Sequence, residues 1–143
     1  MNNCIFCKIV SAKIPSKKIY EDDFVLGFLD INPISFCHTI LIPKKHFINL
    51  EETDEEYLSK ILIASKKIVK LLKNNIPEIK GFNYLSNQEK IAGQEISHFH
   101  FHIIPKYKEN YGFNVISNID NNSFKNDELI DKIILKNIGS KNE

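Results

Sequence analysis

Three histidines at alternate positions, His98, His100 and His102, fall within one short run, Ser97-His98-Phe99-His100-Phe101-His102-Ile103-Ile104. Successive strand side chains point to opposite faces, so an extended run puts the three imidazoles on one side and Phe99, Phe101 and Ile103 on the other. The apolar side belongs in a core. The imidazole side needs a reason to exist, because three of the chain's five histidines share it and each buried ring needs a polar partner. Neutral imidazole, with an unperturbed pKa of about 6.5, serves as nucleophile, general base or metal ligand. Two readings follow from the residues: three ligands of one metal ion, as in three-histidine catalytic zinc sites, or one attacking imidazole whose neighbours handle protons and negative charge. A set of partnered structural histidines is the plainer alternative.

The segment before this run, Asn87 to Glu95, is polar. Amides such as Asn87 and Gln94, with the backbone around Gly93, can offer neutral donors to phosphate oxygens. That points to phosphoryl or nucleotidyl transfer. Cys4-Ile5-Phe6-Cys7 is the other notable spacing, open to reading as a redox pair, half of a zinc site, or two buried thiols. It lies almost at the start of the chain, where a redox motif would lack its preceding strand. Cys37 makes the cysteine count three, and an odd count without a secretory signal argues against a disulfide framework.

The elements that must position these groups are legible from periodicity. Cys4 to Ala12 reads as a short amphipathic helix, with Ile5, Phe6, Ile9 and Val10 at helical spacing and Ile14-Pro15 ending it. Ile19-Tyr20 and Phe24 to Leu29 flank an acidic turn and read as a hairpin. A loop at Pro33 to Phe36 precedes a second apolar strand, His38 to Pro43. A long helix starts at Thr53, which with Glu56 has capping-box spacing; Tyr57, Leu58, Ile61, Leu62, Ile68, Val69 and Leu72 form its apolar stripe. Lys60, Lys66, Lys67, Lys70 and Lys73 make a solvated face, and Asn74, Asn75 and Pro77 stop the helix. Phe82 to Ser86 reads as a strand, and the histidine strand spans Ser97 to Ile104, ended by Pro105. From Asn110 to Asn126 the chain is polar and Asn-rich, and a last short helix is expected from Asp127 to Leu135.

At 143 residues the chain suits one domain with its own core. Its 43% hydrophobic and 26% charged residues are those of a globular protein, with no apolar run of bilayer length. A net charge of +1 gives no reason to expect nucleic-acid or membrane partners. Lys8 and Lys13 interrupt the place where a signal peptide has its apolar core, so a cytoplasmic protein is expected.

Gly93-Gln94-Glu95-Ile96-Ser97-His98-Phe99-His100-Phe101-His102-Ile103-Ile104-Pro105 resembles the signature of the histidine triad (HIT) family, three histidines alternating with apolar residues. The resemblance extends through Asp30-Ile31-Asn32-Pro33, His38-Thr39-Ile40-Leu41-Ile42-Pro43-Lys44-Lys45-His46 and Asn87, and so covers roughly Cys4 to Lys106. Its details are similar to the bacterial form of the branch that hydrolyses nucleoside phosphoramidates. What it implies is an α+β domain, a five-stranded antiparallel sheet with one long and one short helix. The domain is expected at 1–108, and 109–143, which the resemblance does not reach, is expected to be an extension whose short helix packs on the domain. A homodimer whose two sheets join into one is also implied.

The resemblance assigns roles residue by residue. His100 matches the nucleophile that forms a nucleotidyl-histidine intermediate, His102 a phosphate contact, and His38 a fourth histidine that orients or relays protons. Asn87, Gly93, Gln94 and Glu95 match the phosphate and leaving-group loop. Asp30, next to Ile31, matches the acceptor of ribose hydroxyl hydrogen bonds, although Asp30 also suits a turn before Asn32-Pro33. Ile5, Phe6, Ile9, Phe28, Leu29 and Ile40 match the apolar slot for a purine base. Cys4, Cys7, His46 and His98 match a structural zinc site, a closed set of two thiolates and two imidazoles; that reading makes His98 an anchor within the triad rather than a reactive group. No metal is expected in catalysis itself. The implied reaction releases AMP or GMP from phosphoramidates or similar adenylates. A dinucleoside polyphosphate hydrolase and a nucleotide-binding regulatory or scaffold protein are the alternatives. Glu95 stands where the eukaryotic branch has a serine, and a carboxylate there repels anionic leaving groups and attracts amines.

Overall fold

The computed structural model describes residues 3–120 and 126–134. Its elements are α1 (Ile5–Val10), β1 (Lys18–Glu21), β2 (Val25–Leu29), β3 (Thr39–Pro43), α2 (Glu55–Asn75), β4 (Gly81–Leu85), β5 (Phe101–Lys106) and α3 (Asp127–Ile133), with one 3-10 turn at Lys90–Ala92. The five strands form an antiparallel sheet in the order β1-β2-β3-β5-β4, the α+β architecture expected.

Both faces of the central strands are covered, which explains why Thr39–Pro43 is buried throughout and reads as a continuous apolar run. Val25, Leu41 and Ile103 pack with Ile61, Ala64 and Ile68 of α2 on one face. Leu26, Phe28, Ile40 and Ile42 pack with Phe6 and Ile9 of α1 on the other. The close approach of α2 requires Gly27: a Cβ there would lie 3.0 Å from Ile68 Cδ1 and 3.2 Å from Tyr20 Cβ. Asp22 shapes the β1–β2 turn by accepting from the Phe24 and Val25 amides at 2.7 and 2.8 Å.

Three local expectations are corrected. Thr53 does not cap α2. Its hydroxyl donates to the Asn49 carbonyl at 2.6 Å, and Asp54 takes the N-cap position without a side-chain cap bond. A threonine hydroxyl bonds nearby backbone as readily as it caps. Pro105 does not end the histidine strand; it pairs with Phe82 inside β5. Its carbonyl accepts from Ser35 Oγ at 2.6 Å. The N and C=O of a strand residue share one side, so the missing N–H faces away from β4 and removes no ladder bond. Finally, α3 buries none of its residues, and Leu129, Ile130 and Ile133 are exposed, so this helix does not pack on the domain as expected. Leu135, the expected end of that helix, lies outside the described residues.

Candidate active site and metal centre

β5 runs between β3 and β4, so the sheet seats His102 opposite Ile40 on one side and Leu85 on the other. The ladder begins only at Phe101; His98 and His100 precede it, at variance with a strand starting at Ser97. Here the chain is held by the Phe99 amide donating to the Phe47 carbonyl at 2.6 Å. Alternation of faces nevertheless persists. Phe99, Phe101 and Ile103 join the α2 core, while Phe6 of α1 meets the rings of His98 and His100 edge-on, at 5.7 and 5.1 Å between centroids.

Hydrogen bonds fix which nitrogen of each ring carries the proton. His100 Nδ1 lies 2.8 Å from the His98 carbonyl, which can only accept, so Nδ1 is protonated and Nε2 keeps its lone pair. The Ile34 amide donates to His38 Nδ1 at 3.2 Å, so the neutral His38 ring carries its proton on Nε2. That nitrogen lies 2.9 Å from His102 Nδ1, which must accept, leaving the His102 proton on Nε2. The two rings, 5.0 Å apart, thus have opposite polarity: His100 offers a lone pair and His102 a proton. Asp30 Oδ2 stands 3.7 Å from His38 Nδ1.

All three rings are held neutral. Burial pushes His100 down against the opposing pull of the His98 carbonyl, Asp30 and Glu95, and pushes His38 down against Asp30. Burial, then the His100 and His38 rings, push His102 down to about 4, with Asp30 opposing. An unfolded His102 titrates near 6.5, so between that pH and about 4 the unfolded chain binds more protons. Stability is therefore fully present above pH 6.5 and lost as pH falls through that window. Melting temperatures recorded from pH 7.5 to 4.5 should decline, and decline less steeply for His102→Gln. An identical slope in that variant would contradict a buried, neutral His102.

His38, His100 and His102 line a cleft of about 530 Å³. Its apolar wall is Ile5, Phe6, Ile9, Phe28, Leu29 and Ile40, its rim Asp30 and Ile31, and its far side Asn87, Gly93 and Glu95. Asp30 also makes the turn that its sequence context suggested, Oδ1 accepting from the Asn32 amide at 2.8 Å. The loop differs from expectation. The Gly93 and Gln94 amides donate to the Lys90 and Glu89 carbonyls, so those backbone donors are spent inside the 3-10 turn. Gly93 closes the turn at φ +100°, where a side chain is strained. The Asn87 amide, 3.4 Å from the Gly93 carbonyl, remains as a donor on the cleft wall.

Gln94 does not line the cleft. Its Nε2 donates to the Ile48 and Ile96 carbonyls at 2.7 and 3.1 Å, and its Oε1 accepts from the Glu89 amide at 2.9 Å. It is a strut that ties the loop to the chain after His46. His98 is also absent from the cleft wall. Wall residues that sequence reasoning missed include Ile14, Ser16, Ile34, Leu85, Ile104 and Phe113. Ile34 was within a stretch read only as loop, and Phe113 lay beyond the expected domain end.

His98 belongs to a second cluster. Its Nε2 donates to the Pro43 carbonyl at 3.0 Å, turning the Nδ1 lone pair toward Cys4 Sγ at 3.4 Å, Cys7 Sγ at 3.6 Å and His46 Nδ1 at 3.1 Å. Cys7 Sγ lies 3.3 Å from His46 Nδ1. Cys4 is the N-cap of α1 and Cys7 lies in its first turn, which brings both thiols to one side. A tetrahedral ion with bonds of about 2.3 Å to sulfur and 2.0–2.1 Å to nitrogen has ligand–ligand edges of roughly 3.3–3.8 Å. The sulfur–nitrogen separations of 3.3, 3.4 and 3.6 Å fall in that range, the nitrogen–nitrogen one is slightly shorter, and all four atoms lie within 4.8 Å of one another. The Pro43 carbonyl fixes the ring from behind, as partners of ligating histidines do. Burial and the adjacent Cys4 push Cys7 up to about 11, so a divalent cation must displace protons here to bind.

The three-histidine metal reading is not formed, because His98, His100 and His102 turn their Nδ1 atoms to three different partners. Asp30, His38 and His102 also come within 4.8 Å of one another. There both His38 nitrogens and His102 Nδ1 are already committed, to Ile34 and to each other.

Among the described residues no helix is long and apolar enough to cross a membrane. The HIT domain family matches residues 11–109. An adenosine 5'-monophosphoramidase of Candida albicans is 47% identical over 116 residues, covering 79% of this chain and 76% of that protein. The crystal structure of a histidine triad nucleotide-binding protein from Candida albicans superposes with a TM-score of 0.82 at 41% identity, covering 99% of this chain and 100% of that one. A zinc-bound histidine triad family protein from Mycobacterium smegmatis superposes with a TM-score of 0.73 at 32% identity, covering 82% and 85% of the two chains. The alternating histidines on one face of a five-stranded sheet, the cleft beside them and these matches agree: the chain belongs to the HIT family and is a hydrolase of that family.

Proposed function

We propose that the chain hydrolyses purine nucleoside phosphoramidates, or similar adenylates, through a nucleotidyl intermediate on His100. The observation that carries this reading is the opposite polarity of His100 and His102. A base seats in the apolar slot of Phe6, Ile9, Phe28 and Ile40, with Asp30 accepting from the ribose hydroxyls and Asn87 donating to the phosphate. His100 Nε2 attacks the α-phosphorus and the bond to the leaving nitrogen breaks, the amine departing with a proton from water at the cleft mouth. The ring becomes cationic as it is phosphorylated, and the His98 carbonyl on Nδ1–H stabilises that charge. His102 Nε2–H donates a hydrogen bond to a phosphoryl oxygen, held in that tautomer by His38 and Ile34. Water then displaces the imidazole and releases the nucleoside monophosphate.

Cys4, Cys7, His46 and His98 would hold zinc in this reading. When bound it ties α1 to the segment before β5, a structural duty with no open position for chemistry. A homodimer joining two sheets would use an edge strand; β4 is one edge, and it exposes Tyr84, stacked between Phe82 and Phe101. Sedimentation should then report twice the chain mass of 16.6 kDa, and a mass of one chain would end the dimer proposal.

A substrate panel tests the activity. Adenosine phosphoramidate, whose leaving group is an amine, should be turned over at least about tenfold faster, by kcat/KM, than diadenosine polyphosphate, because the Glu95 carboxylate on the cleft wall opposes an anionic leaving group. The reverse order would favour the dinucleoside polyphosphate reading.

A further inference from the structure

The cleft is not completed by the domain that the alternating histidines announce. One wall residue, Phe113, comes from the polar stretch beyond β5, and an unusual cluster of bonds fixes that stretch. The Lys106 ammonium donates to the Tyr111 carbonyl at 2.6 Å, the Phe113 carbonyl at 2.6 Å and Asn114 Oδ1 at 2.9 Å. An ammonium has three protons, and here all three point into one eight-residue segment. Two further contacts lay the segment on the fold. Tyr107 Oη donates to the Phe36 carbonyl at 2.7 Å. Gly112 turns at φ +78°, and a Cβ there would stand 3.3 Å from Ser35 Cβ and 3.4 Å from the Ile34 carbonyl.

This places the strap at a functional end of the cleft. Ile34 supplies the amide that sets the His38 tautomer, and Ile104, a wall residue like Phe113, follows His102 by two positions on the same strand face. Gly112, the neighbour of Phe113, stands against Ile34, so the strap reaches the cleft beside the residue whose amide sets the His38 tautomer.

We infer that Lys106 is a positioning residue, an ammonium clasp that holds residues 107–114 against the Ile34–Phe36 loop so that Phe113 walls the nucleotide cleft. The inference rests on the reading of this cleft as the nucleotide site. It extends the functional unit past the domain end expected at 108. Lysine suits the task because its three acceptors surround a point charge. Arginine, with a planar fork, satisfies fewer of them but keeps the charge.

The test uses the full chain as Lys106→Met, Lys106→Arg, Phe113→Leu and the Lys106→Met/Phe113→Leu pair. Hydrogen–deuterium exchange of the free protein should show faster exchange across 107–114 in Lys106→Met and recovery toward the parent rate in Lys106→Arg. Steady-state kinetics on adenosine phosphoramidate should show kcat/KM lowered about tenfold in Lys106→Met and in Phe113→Leu, with the double variant no worse than the more impaired single variant, because both act through one wall. AMP titration reads the same loss without turnover. A chain that exchanges normally in Lys106→Met, or binds AMP with parental affinity in both single variants, overturns the inference; so do additive losses. Failure of the parent to cleave the phosphoramidate would instead refute the proposed substrate, while exchange and AMP binding still decide the clasp.

Discussion

Replacing His100 with alanine is expected to lower turnover by several orders of magnitude, on the order of 10⁴ or more, because no other group on the cleft wall presents a free imidazole lone pair. The argument is one of geometry. His38 Nδ1 is engaged by Ile34, His102 Nδ1 by His38, and His98 is absent from the wall. AMP binding should survive, since Asp30, Asn87 and the apolar slot all remain. Titration calorimetry with AMP should therefore give an affinity within several-fold of the parent while hydrolysis disappears. Intact-mass spectrometry after rapid quenching should find the chain heavier by one nucleotidyl group in the parent and unmodified in His100→Ala. Near-normal hydrolysis by the variant, or an adduct that persists in it, would remove His100 from the role.

Much of this site is legible in sequence because side-chain alternation is a property of extended backbone, not of the ladder. His98 and His100 stand outside β5, yet their faces follow the period-2 pattern, since Phe99 is pinned to Phe47 and has nowhere to go but the α2 core. The apolar slot was legible for a similar reason: α1 has helical spacing, and its buried Phe6 and Ile9 face the strands that carry Phe28 and Ile40.

What sequence does not carry is the direction of hydrogen bonds between distant segments. The tautomers of His38 and His102 depend on a backbone amide at Ile34, and no residue type there announces it. Gln94 sits next to Gly93 in a polar loop, so it reads as a wall residue, but the Ile48 carbonyl claims its amide. Phe113 escaped because an Asn-rich stretch has no period to read; the Lys106 clasp fixes it by carbonyls, which every residue possesses. Thr53 failed in the opposite direction. Its spacing to Glu56 matches a capping box, and only the fold shows its hydroxyl turned to Asn49.

The zinc reading makes the second large prediction, and its logic separates metal from catalysis. Four donors converge within 4.8 Å from α1, the segment after β3 and the segment before β5, so an ion bound there joins parts of the chain far apart in sequence and adds its binding energy to folding. Metal analysis should find about one zinc per chain. At free zinc a thousand times the dissociation constant, linkage gives about 4 kcal/mol, which for a chain of this size is a fall in melting temperature of roughly 10 °C when the metal is lost. Cys4→Ser with Cys7→Ser should therefore lose the zinc and melt lower, while hydrolysis remains measurable below the new transition, because His100, His102 and His38 take none of their hydrogen bonds from the cluster's thiols. The affinity should weaken as pH falls, since burial and Cys4 hold the Cys7 thiol protonated in the absence of a cation. A double variant that binds zinc as well as the parent, or one whose activity is restored in proportion to added zinc, would place the metal elsewhere and return the histidine face to metal chemistry.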